Sequence, residues 1–192
     1  MEEAELRSYS INKERELNDE LGAARKVLIE GMQRGLLGAP TNIGLKRLGQ
    51  IDSKPFEDAC RERFPPEKAE SQAAALTSLW MQQLSDPGWY PIKMIEVSES
   101  LQEVIDEQDE KLQKLRQEFG EEPYKAVVTA LMEINEHNAS GRYTVTEIWN
   151  FRENRKASLK EVIEDIMGKI ERGDLSDIMG RITRADTGSG SV

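Results

Sequence analysis

Apolar positions recur with helical spacing along most of the chain, beginning with a Pro-free stretch from Glu2 to about Arg34. Within it Leu17, Leu21, Ala24 and Leu28 fall at spacings of four, three and four, the alternation of a coiled-coil seam. The seam is short, because one heptad earlier it meets Ser10 and Glu14 and one step later Gly31. It reads either as the end of a longer dimeric coil or as an amphipathic helix packed on its own domain. Residues 35–53 then change character. Gly35, Gly38, Pro40, Gly44 and Gly49 interrupt the pattern and predict an ordered loop, with a tight packed turn over Gly44 to Gly49.

Pro55 at a first helical position predicts a short helix whose stripe is Phe56, Cys60 and Phe64. Pro65-Pro66 restarts a helix through Ala69, Ala73, Leu76, Trp80 and Leu84, closed by Asp86-Pro87-Gly88. Alternation over Trp89 to Val97 predicts a strand, with Leu101 to Ile105 as its hairpin partner across Ser98-Glu99-Ser100. Asp106 and Asp109 open a helix with Leu112, Leu115 and Phe119 on its buried edge and Gly120 as its stop. A further helix carries Tyr124, Val127, Val128, Leu131 and Ile134 as far as the Asn138 to Gly141 turn. Tyr143 and Val145 then begin an extended stretch, and Ser158 with Glu161 forms a capping box for a last helix bearing Leu159, Val162, Ile163, Ile166 and Ile170. Gly188-Ser189-Gly190-Ser191 predicts a flexible end.

This pattern predicts an α+β fold, mainly helical with a few short strands, preceded by an N-terminal coiled-coil helical arm. The expected organisation is an arm over 1–34, a globular domain over 35–170 and a C-terminal extension over 171–192.

Composition narrows the function. The net charge of −10 gives no overall positive field with which to bind phosphate backbones. Cys60, the single cysteine, allows no intrachain disulfide and no Cys-based zinc site, which points to a reducing compartment. The acidic N-terminus lacks an apolar signal core and no run approaches the roughly 18 apolar residues of a membrane span. A soluble, non-secreted protein with no membrane partner is expected.

Candidate catalytic chemistry fails motif by motif. Gly44-Leu45-Lys46-Arg47-Leu48-Gly49 has the outer spacing of a P-loop, but Gln50 and Ile51 stand where Lys and Ser/Thr would grip phosphate and Mg²⁺. Cys60 lies on an apolar stripe with no activating base in a local motif. Glu103, Asp106, Glu107, Asp109 and Glu110 are dense in oxygen yet lack EF-hand spacing, and acids are expected in a first helical turn. His137 is the only histidine, so no His-Glu-x-x-His zinc motif forms. No catalytic residue, metal or cofactor is assigned.

Charge distribution says more. Residues 96–122 hold ten acids and three bases, whereas residues 142–160 hold five bases and two acids. Asp106, Glu107, Asp109 and Glu110 on one side, and Arg142, Arg152, Arg155 and Lys156 on the other, form a complementary pair of candidate interaction surfaces. The basic stretch, with Tyr143, Trp149 and Phe151 interleaved, is also an alternative site for RNA or DNA.

Several segments resemble one family. They run from Asn18-Asp19-Glu20-Leu21 and Asn42-Ile43-Gly44-Leu45-Lys46-Arg47-Leu48-Gly49 through Lys54-Pro55-Phe56, Ser78-Leu79-Trp80 and Asp86-Pro87 with Trp89. They continue through Glu103 to Asp106 and Ala130-Leu131-Met132-Glu133-Ile134-Asn135-Glu136 to Gly141-Arg142-Tyr143, Trp149-Asn150-Phe151 and Arg155-Lys156-Ala157. In order and without a large gap, from about residue 12 to 166, they are similar to the plant XH domain. That domain forms the C-terminal part of proteins of the factor of DNA methylation, or involved-in-de-novo, type.

The resemblance implies a nuclear, non-enzymatic module that joins copies of itself or paralogues in RNA-directed DNA methylation, a form of RNA-mediated gene silencing, with other silencing-complex proteins as possible partners. RNA binding in that family is associated with an XS domain absent from these residues. Asn42, Gly44, Gly49, Trp80, Trp89, Gly141 and Trp149 are expected to define the fold, and Leu17, Leu21, Ala24 and Leu28 to form the arm's contacts.

Overall fold

The Pro-free opening of the chain forms a single long helix, and the computed structural model describes residues 2–35, 41–97 and 100–173. In chain order the elements are α1 (Glu2–Gln33), β1 (Ile43–Leu48), α2 (Lys54–Arg63), α3 (Pro66–Ser85), β2 (Ile92–Val97), β3 (Ser100–Ile105), α4 (Glu110–Phe119), α5 (Glu121–Asn138), β4 (Val145–Asn150), β5 (Arg155–Lys156) and α6 (Leu159–Glu171). The fold is mainly helical α+β, as the periodicity predicts. Two compact units divide it, one from Met1–Lys46 with Thr146–Val192, the other from Arg47–Val145.

In the first unit the sheet order is β1-β4-β5, with Trp149 opposite Lys156 and Asn150 opposite Arg155 in the β4–β5 pair. Ile43, Ile148, Ala157 and Val162 form its core, and Leu28, Ile29, Met32, Leu45 and Ile166 pack against them. The last turns of α1 therefore complete this core. Ser158 caps α6 reciprocally with Glu161, as the sequence predicts.

The second unit packs α2, α3, α4 and α5 around Phe56, Cys60, Leu84, Leu112, Val127 and Leu131, all 0% exposed. Each large aliphatic or aromatic side chain so buried contributes about 1.5–3 kcal/mol. Trp80 and Trp89 meet in this core with ring centroids 5.8 Å apart. The β2–β3 hairpin pairs Ile92 with Ile105 at its base, while Ser98 and Glu99 of the expected turn lie outside the described residues.

The reading of 35–53 as a loop needs correction: residues 43–48 form β1, not a tight turn. Gly44 and the Lys46-Arg47 pair break the apolar alternation, so the strand shows only through its pairing with β4. Gly38 and Pro40 of the expected loop, and the glycine-serine end, lie outside the described residues.

Candidate functional site

The four arm residues divide into two environments. Leu17 and Leu21 are 52% and 54% exposed and Ala24 is exposed, whereas Leu28 is half-buried against the first unit's core. One stripe thus faces solvent along the middle of α1 and turns inward one heptad later. Arg25 fixes that transition: its guanidinium binds the Glu147 carboxylate and donates to the Ile148 carbonyl at 3.2 Å. Lys156 also pairs with Glu147, so one buried carboxylate ties α1 and β5 to β4. Burial alone would raise the Glu147 pKa, but hydrogen bonds from Lys156, Arg25 and the Ile148 N–H outweigh it and hold the carboxyl below its ordinary value.

The basic segment is occupied by internal contacts. Arg155 binds Glu153 and, at 2.8 Å, Glu161. Bonds from Arg155, the Ser158 N–H and Asn150 hold the Glu161 carboxyl far below the usual carboxylate range. Arg142, expected on the surface, is buried; its Nε and Nη2 donate to the Leu84 and Trp89 carbonyls, both at 3.1 Å. A cation at the C-terminal end of α3 meets carbonyls that the helix leaves unpaired. Arg152 is exposed.

The acidic residues divide as well. Asp109 is the N-cap of α4, accepting from the Leu112 N–H at 2.9 Å, and its other oxygen accepts from Trp89 Nε1 at 3.1 Å. Lys93 first, then the Gln108 N–H, lower the pKa of Asp106. Glu107 and Glu110 are exposed. Among the described residues no group of three or more His, Cys, Asp and Glu side chains is placed to hold a metal ion. Burial raises the Cys60 thiol, while Arg63 opposes this.

The expected fold residues lie at turns and in cores. Gly49 has φ +78, donates its N–H to Glu133 at 2.8 Å, and lies so close to Ile134 that a Cβ would meet Cγ1 at 2.3 Å. A Cβ on Gly141 would meet the Tyr143 ring at 2.4 Å. The Asn42 carbonyl accepts from the Phe151 N–H, Gly44 is buried in β1, and Lys46 Nζ stands 4.4 Å over the buried Trp149 ring.

Sequence reasoning missed the exposed stripe of α6, where Ile163, Met167 and Ile170 are 54%, 51% and 54% exposed. Ile163 and Ile170 were assigned to that helix without a distinction between its core-facing and outward apolar positions, which only the packing supplies.

These features describe a mainly helical α+β domain with a helical arm and apolar side chains left on its surface. The family model of the XH domain matches residues 46–174, and the chain belongs to that family. It is 51% identical over 166 residues to Factor of DNA methylation 1 of Arabidopsis thaliana, covering 86% of this chain and 26% of the relative. Factor of DNA methylation 2 is 48% identical over 166 residues, with the same coverage. Protein INVOLVED IN DE NOVO 2 is 41% identical over 164 residues, covering 84% of this chain and 25% of the relative; both are from Arabidopsis thaliana. The chain spans about a quarter of the length of these curated relatives. No solved structure matches it. Among the described residues no helix is long and apolar enough to cross a membrane.

Proposed function

We propose that this chain is a non-enzymatic protein–protein module that associates with itself and with paralogous XH-domain proteins in a nuclear complex acting in RNA-directed DNA methylation. Residues 1–34 supply the end of a coiled coil, 35–170 the XH domain and 171–192 an extension. The observation that carries the reading is the half-exposed pair Leu17 and Leu21, held on a helix anchored by Arg25 and Leu28. Two large apolar side chains on successive turns of one face are covered when a second helix lies along them. The DNA-methylation role rests on the names and similarity of the relatives.

Direct nucleic-acid binding is disfavoured because Arg142 is buried and Arg155 and Lys156 are paired with carboxylates. The test is co-expression of tagged and untagged copies, and of this chain with the corresponding part of a paralogue. Wild type retains its partner on affinity purification, while the Leu17→Asp, Leu21→Asp variant loses most of it. Equal recovery with wild type and variant contradicts the assignment of the arm.

A further inference from the structure

A groove on the second unit runs between α3 and α4. Leu76, Leu79 and Trp80 of α3 and Leu115 and Phe119 of α4 line a cavity of about 240 Å³. Leu79 is 59% exposed, so the apolar lining is open to solvent.

The rim of this groove is basic, although its unit is acidic. Residues 47–145 hold nineteen acids and eleven bases, yet Lys111 and Lys114 both line the α4 side. Lys111 donates to the Gln83 amide oxygen at 2.8 Å and stands 5.7 Å over the Trp89 ring. Lys114 approaches Glu118 at 3.9 Å with both side chains exposed, a pair that contributes little and leaves the ammonium free to take another carboxylate. An apolar groove edged by two ammonium groups selects an apolar segment that carries carboxylates.

This chain contains such a segment. Residues 174–192 lie outside the described residues and open with Asp174-Leu175-Ser176-Asp177-Ile178-Met179-Gly180-Arg181-Ile182. Leu175, Ile178, Met179 and Ile182 recur at the spacings of one helix face, the pattern of a helix seated in a groove. Asp174 and Asp177 fall to the same side of that face, with Arg181 one turn further on.

Interface area selects a second copy as the source. The free part of the α1 seam extends from Leu17 to Ala24, about two turns, before Leu28 packs inward. Two-helix contacts of that length are marginal, and stable interfaces bury about 1,200–2,000 Å² in total. A segment exchanged reciprocally fills two grooves and closes the dimer.

We propose that residues 174–182 of a second copy dock in the α3–α4 groove, with their apolar face on Leu79, Leu115 and Phe119 and Asp174 and Asp177 against Lys111 and Lys114. This rests on the self-association reading and adds to it an interface separate from the arm.

The test combines cross-linking with mass in the full chain. A tagged Leu79→Cys copy mixed with an untagged Ile178→Cys copy is expected to form a disulfide heterodimer under mild oxidation; Cys60 is buried and remains out of the exchange. Adding Lys111→Glu, Lys114→Glu to the tagged copy lowers the yield roughly tenfold or more, and Asp174→Lys, Asp177→Lys in the untagged copy restores it. Both lysines are exposed, so their reversal leaves the core intact. No heterodimer, or a yield that ignores the charge reversal, overturns the docking. A disulfide that forms only within a chain carrying both cysteines overturns the second copy as the source. If light scattering shows a wild-type dimer while the cross-link fails, the groove contact falls and self-association stands. A wild-type chain that is monomeric at every concentration removes both.

Discussion

Glu147 shows how a single side chain couples elements distant in sequence. It receives Arg25 from α1 and Lys156 from β5 while buried in β4. Because its pKa is lowered on folding, its contribution is fully present above the ordinary carboxylate range near pH 4.3 and is lost as pH falls through the lowered value. The stability of wild type is therefore expected to fall more steeply below about pH 4 than that of Glu147→Gln, which has no carboxylate to protonate. Urea unfolding midpoints measured against pH test this, and parallel acid limbs for the two proteins would contradict it. Little of this was legible in advance. Arg142 reads as a surface base because residue type and aromatic neighbours say nothing about the Leu84 and Trp89 carbonyls that converge on it. The sequence opens α4 with Asp106 and Asp109 together, whereas the helix starts after Asp109, which is its N-cap.

Elements were readable where the signal is local. The Ser158 and Glu161 capping box, the Gly120 stop and the β2–β3 hairpin follow from short-range rules, and the fold contains all three. Strand β1 was not readable, because its partner lies about a hundred residues later and Gly44 and Arg47 obscure its alternation. The two readings of α1 apply to different parts of one helix: Leu28, Ile29 and Met32 close their own unit's core, and Leu17 and Leu21 remain outside it. Removing residues 1–34 is thus expected to destabilise the first unit by several kcal/mol, since three apolar contacts and the Arg25 bond to Glu147 are lost together. Thermal unfolding followed by circular dichroism measures the loss. An unchanged Tm would show that the arm contributes nothing to this core.

At the scale of the molecule, the acidic balance and the internally paired bases leave apolar association as the better-supported role. Among the described residues of the first unit, large apolar side chains are exposed on α1, on α6 and at Phe151, and both helices also contribute to its core. A second copy can then bind surfaces whose positions the fold already fixes, which lowers the ordering cost of association. The most direct measurement is the mass of the chain in solution by light scattering over a wide concentration range. The account predicts a rise with concentration from 21.8 kDa to twice that value. A mass that stays at 21.8 kDa at every concentration would contradict self-association of this chain.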